Sequence, residues 1–175
     1  MFIREWLYNP QVKIIRLAKE LVKFNERCFV RLLGDMRSCN FVMDMTPDVE
    51  EVQIRIRPMD FDQQSYQGNK KFYLPQFFRE NTELVLYCIH HLDPTTALQY
   101  QREEQFLILR RMKTSKERLR MLLQAMSGDC ISPPEKVSQL REELAEHFGD
   151  DRYLDLDSMG ELVHHNLERL TRQVA

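Results

Sequence analysis

Two acidic motifs bracket a pair of strand-like segments, and this spacing constrains the fold more than any other feature of the chain. The first motif reads Gly34-Asp35-Met36-Arg37-Ser38-Cys39-Asn40, with an asparagine five residues after the aspartate. The second reads Met59-Asp60-Phe61-Asp62. Between them, Phe41 to Met45 reads as a short strand, and Thr46-Pro47-Asp48 is turn chemistry. Val52, Ile54 and Ile56 then alternate with Gln53, Arg55 and Arg57. Period-two alternation marks a half-buried strand. The two segments predict one β-hairpin, flanked by the Asp35–Asn40 loop before it and by Asp60 after it. A hairpin brings the chain back to the side it left, so both motifs should lie close together.

Around this hairpin the pattern is helical. Asn9-Pro10 reads as an N-cap followed by proline at the first helical position. Ile14, Leu17, Ala18, Leu21 and Val22 recur at three and four, which predicts an amphipathic helix ending near Asn25. Cys28 to Leu33 is an apolar stretch entering the Gly34-Asp35 motif, and Gln63 to Pro75 is a polar and aromatic loop. Leu84, Val85 and Ile89 belong to one helix, and Asp93-Pro94 opens a long one that weakens between Lys113 and Arg118. Thr114 with Glu117, Ser132 with Glu135, and Ser158 with Glu161 each have the spacing of a capping box. Gly149 suits a C-terminal cap. The expected class is mainly α with one small β-hairpin followed by a helical extension.

Composition narrows the partners. Net charge is −2 from 25 basic and 27 acidic residues, which gives no global reason to expect nucleic acid or an anionic membrane. The local run Arg110, Arg111, Lys113, Lys116, Arg118 and Arg120 spreads around a helix axis and reads as a solvated surface. No stretch approaches the ~18 apolar residues of a membrane span. Four cysteines, at 28, 39, 88 and 130, show no CxxC spacing, so reduced thiols in a cytoplasm are expected.

The two acidic motifs resemble the kinase-like superfamily, especially its aminoglycoside phosphotransferase and choline kinase branch. The catalytic loop there commonly reads His-Gly-Asp-x-x-x-x-Asn. Leu33-Gly34-Asp35-Met36-Arg37-Ser38-Cys39-Asn40 agrees at Gly, Asp and Asn and departs at the His position, which is Leu33. Asp60-Phe61-Asp62 stands at the Asp-Phe-Gly position. The resemblance covers about residues 10 to 66 and implies a set of roles. Asp35 would be the catalytic base toward an acceptor hydroxyl, and Arg37 would reach a terminal phosphate. Asn40 and Asp60 would bind the cofactor, holding magnesium on the phosphates of ATP, since magnesium prefers hard oxygen ligands. It also implies a division into a partial C-terminal lobe, 1–92, and a helical extension, 93–175, packed on it as one body. Only nine residues precede the first predicted helix, and no Gly-rich loop or strand lysine precedes Asp35. The chain reads as a C-terminal lobe without its partner lobe, whether a fragment, an internal start or a reduced descendant, with weak ATP binding and inactivity of the isolated chain as expectations.

The same residues admit plainer roles. Asp35 or Asp60 could cap turns, and Asn40 could satisfy loop backbone. A non-catalytic module whose helices after Asp93 bind a partner protein is the alternative. Self-association as a homodimer is expected through an apolar patch near Phe2, Trp6, Leu7 and Tyr8, or beside the hairpin. His90-His91 and His164-His165 read as surface pairs, Cys39 as an incidental thiol, and Met112, Met121 and Met126 as core.

Overall fold

The first described helix, α1 (Ile14–Arg31), serves two hydrophobic cores at once. The computed structural model describes residues 14–47 and 52–174, without the side chains of 173 and 174. The Asn9-Pro10 cap, Asp48 and the apolar residues Phe2 to Tyr8 lie outside the described residues. One face of α1 buries Leu17, Leu21, Phe24 and Cys28 against Leu33, Met36, Phe41, Ile56 and Leu84. Its last turns bury Phe29 and Val30 in a second core with the later helices.

The helix runs six residues past its expected end near Asn25. Asn25 is a weak helix former, but its amide donates to the Leu21 carbonyl at 2.9 Å, one turn back. Its oxygen accepts from the Gln76 backbone at 3.1 Å, so tertiary contact satisfies the side chain within the helix. The helix stops at a Schellman motif. Leu32 donates to Phe29 O and Leu33 to Cys28 O. Leu32 takes the left-handed conformation, φ 50°, that glycine usually supplies there, and it is fully buried. Burial of a leucine side chain offsets a conformational cost of about 1 kcal/mol.

Strands β1 (Phe41–Pro47) and β2 (Val52–Pro58) pair antiparallel, with Phe41 opposite Pro58 and Pro47 opposite Val52. Thr46 and Pro47, expected as turn, belong to β1. No third strand joins this sheet among the described residues. At Ile56, α1 side chains take the place of one. Glu20 accepts from Ile56 N at 3.0 Å, and Arg27 donates to Ile56 O at 3.0 Å. Arg27 also pairs with Glu20 at 2.5 Å, and with Glu104 at 3.1 Å. All three charged side chains are buried.

Helices α2 (Thr82–Ile89), α3 (Pro94–Thr114), α4 (Lys116–Ser127), α5 (Pro134–Phe148) and α6 (Met159–Val174) follow, as the patterning predicted. Asp93 caps α3 by accepting from Thr96 N at 2.9 Å. Gly149 ends α5 with φ 60°. Ser158 and Glu161 form the reciprocal capping box, each backbone N–H bonded to the other's side chain. The other two boxes do not form. Ser132 Oγ donates instead to Tyr66 O at 2.9 Å, tying the 63–75 loop to α5's approach. Glu117 pairs with Arg120, and the α3–α4 break falls at Ser115 without a side-chain cap. Short 3₁₀ turns at Lys70–Tyr73 and Asp151–Asp155 join the helical core through Tyr73 and Tyr153.

Two side chains depart from their expected surroundings. His165, expected on the surface, is buried and bonded to Asp150 at 3.0 Å. It stands on the inward face of α6 with Leu162, which its adjacency to His164 concealed. Met121, expected in the core, is 61% exposed, on a helix whose one buried residue is Leu123. All four cysteines are unpaired. No described helix is long and apolar enough to cross a membrane.

Candidate functional site

The loop from Leu32 to Asn40 is held against the segment that follows the hairpin. Ser65 N donates to Leu32 O at 2.8 Å, and Asp35 N to Phe72 O at 3.3 Å. Gly34 lies in this seam. A Cβ there would stand 2.5 Å from Gln63 O and 2.7 Å from the Phe72 ring, so only glycine permits the approach. Met36, the loop's apolar anchor, is buried. Its carbonyl accepts from Asn81 Nδ2 at 2.8 Å, and the same amide donates to Pro75 O at 2.7 Å. Asn81 is a positioning residue that sequence reasoning missed. Nothing in its local pattern separates it from a helix-start asparagine.

Asp35 stands in the left-handed region, φ 57°, where a non-glycine residue usually carries strain. Four hydrogen bonds from its own loop fix it. Arg37 N donates to Asp35 O at 2.8 Å. Asn40 Nδ2 donates to Asp35 O at 2.8 Å and to Oδ2 at 3.3 Å. Arg37 Nε meets the other carboxylate oxygen at 2.6 Å. Both oxygens of Asp35 are therefore engaged by neighbours on the same loop. Asn40's amide nitrogen is committed to Asp35, while its oxygen accepts from Cys39 Sγ at 3.2 Å.

The hairpin returns the chain to this point. Met59 N donates to Asn40 O at 2.9 Å, which sets Asp60 one residue beyond the Asn40 backbone. Asp60 is exposed, and its Oδ1 accepts from Asp62 N at 3.2 Å. The four predicted residues thus share the open end of the hairpin. Asp35, Arg37 and Asn40 bond to one another, and Asp60 joins them through the backbone. The plainer roles are also visible here, since Asn40 does satisfy loop backbone and Asp60 does close a turn.

Magnesium chemistry asks for one or two hard oxygens from protein, with water and phosphate completing the shell. The Asn40 carbonyl oxygen and the Asp60 carboxylate are of that type, and Asp62 lies two residues on. No group of three or more His, Cys, Asp or Glu side chains gathers as a metal cage among the described residues. Phe61, beside Asp60, is 51% exposed and rims two cavities with Gln64, Leu122 and Met126. Burial pushes the Cys28 thiol up, and the Cys88 thiol up to about 12, so neither is a nucleophile at neutral pH.

No family model, curated protein or solved structure matches this chain.

Proposed function

We propose that this chain is the C-lobe portion of a kinase-like phosphotransferase that transfers the γ-phosphate of ATP to a hydroxyl acceptor. The observation that carries the reading is the Asn40 amide bonded to Asp35 while the hairpin returns Asp60 alongside. In this reading Asp35 orients the acceptor hydroxyl and takes its proton. Asn40 Oδ1 and the Asp60 carboxylate would hold magnesium, which would supply positive charge to neutralise the phosphates. Arg37 serves a double role, holding Asp35 in place and offering charge to a terminal phosphate. ATP as donor makes the cytoplasm the fitting compartment.

The described residues before the loop form a single helix, so the grip on adenine must come from outside them. The isolated chain should accordingly bind ATP weakly, since small-molecule affinity depends on burying most of the ligand. Exposed Met59 and Phe61 beside the site favour a contact with a second lobe or a second copy of this chain. The same exposure favours a non-catalytic helical interaction module as the second reading.

Manganese, a paramagnetic stand-in for magnesium, tests the metal assignment. Amide signals of Asn40 and Asp60 to Asp62 should broaden on titration, and the Asp60→Asn variant should abolish this. Unbroadened signals in the folded wild-type chain would overturn the metal site, and micromolar ATP affinity by calorimetry would overturn the need for an outside lobe.

A further inference from the structure

A cleft of about 810 Å³ opens between α1, α3 and the ends of α5 and α6. None of its lining residues belongs to the Leu32–Asp62 region, so it stands apart from the kinase-like reading. Its volume falls within the range of about 300–1,000 Å³ usual for small-molecule sites. The lining is neither a packing defect nor a plain solvated groove. Amides of Gln76, Gln101 and Gln105 converge on it with three phenylalanines, two arginines and one glutamate.

The aromatic part is a built shelf. Phe29 and Phe148 have ring centroids 5.6 Å apart, and the Arg169 guanidinium carbon lies over the Phe148 ring, 3.5 Å from its centroid. Phe106 lines the cleft from α3 and is 59% exposed. A mostly hydrated phenylalanine gains free energy from any apolar body placed against it.

The charged part favours an anion. Arg102 and Arg169 both line the cleft, and each carries a guanidinium cation. Opposing them is Glu26 alone. It is buried and accepts from Gln105 at 2.7 Å. Burial pushes its carboxyl up, against the hydrogen bond from Gln105 and the pull of Arg169. His147, also in the lining, is held below its ordinary range by burial and then by Lys70 and Arg169, so it does not add lasting positive charge.

We infer that this cleft binds an aromatic carboxylate, its ring between Phe106 and the Phe148–Arg169 shelf and its carboxylate toward Arg102 and Arg169. The glutamine amides supply the remaining donors. Charge selects the anion and the shelf selects a planar body, so either alone should bind poorly.

The probe is 2-naphthoate, with 2-naphthamide as its uncharged match, titrated at neutral pH into the full chain and followed by NMR. The Gln101 and Gln105 side-chain amide signals should shift with 2-naphthoate. Arg102→Gln and Phe106→Ala, both exposed positions that leave the cores intact, should each weaken binding about tenfold, equivalent to about 1.4 kcal/mol. Arg169→Gln should weaken it further if the variant remains folded, and the two exposed variants decide the matter if it does not. Naphthamide should bind about tenfold more weakly than naphthoate. Absence of shifts at millimolar probe, equal binding of naphthamide, or full binding in both exposed variants would each overturn the proposal.

Discussion

The two cores that meet on α1 are held together by different forces. The hairpin-side core is small, and polar links fix its geometry: the Glu20–Arg27–Glu104 triad on Ile56, the Asn81 amide on Met36, and the Asn40 amide on Asp35. The helix-side core is larger and relies on interlocked apolar side chains such as Leu140, Leu144, Leu162 and Leu170, all fully buried. Its polar links seal the packing. Tyr153 donates to Asn166 at 2.5 Å, and Asn166 Nδ2 reaches Val30 O at 3.4 Å. Apolar burial is non-directional, so it tolerates small shifts. Hydrogen bonds are directional, and a buried unpaired partner is costly. The half that carries the candidate site is therefore the half whose geometry depends on individual atoms.

Removing Arg27 should break this contrast most severely. Arg27→Ala leaves Glu20 and Glu104 as buried carboxylates without their cation, a loss of about 3–5 kcal/mol by analogy with other broken buried pairs. Urea denaturation should show that loss, and the Ile56 amide should lose its hydrogen-exchange protection first. A change no larger than about 0.5 kcal/mol, the size of an ordinary surface substitution, would mean that the hairpin is held by packing alone.

The counterpart on the other side is Leu140→Ala, expected to cost about 2–5 kcal/mol through lost burial and a residual cavity. Here the pattern of exchange matters more than the total. Amides of α5 and α6 should become labile while that of Ile56 keeps its protection. Equal loosening of Ile56 would show that the two cores open as one unit.

The smallest effect comes from the surface link between α1 and α3. Hydrogen bonds from Lys19, then Lys23, hold the Glu103 carboxyl at about 2, below its ordinary 4.5. A depressed carboxyl stabilises the fold above its unfolded value, and that contribution is lost as pH falls from about 4.5 toward about 2. Glu103 is one-third exposed, so solvent screening limits the contribution to about 0.2–1 kcal/mol. The stability difference between wild type and Glu103→Gln, followed by urea denaturation against pH, should shrink through this window. A difference that stays constant would remove the lysine pair from any stabilising role.

The sequence by itself determined the elements. Period-two alternation through Ile54 and Ile56, helical spacing from Leu17 to Val22, and the caps at Asp93, Gly149 and Ser158 all act within a few residues, where local sterics and hydrogen bonding decide. It also determined that Asp35, Asn40 and Asp60 share one end of the hairpin, because a hairpin has only one geometry for its flanks. Tertiary structure decided the rest. It carried α1 on to Arg31 through the Gln76 contact to Asn25, buried His165 beside Asp150, and left Met121 in solvent. It chose Glu20 and Glu104 as the partners of Arg27, and Met36 as the partner of Asn81. It also gathered the Phe106–Arg169 cleft from four helices. Each of these depends on which surfaces meet across long chain separations, and local periodicity carries no record of that choice.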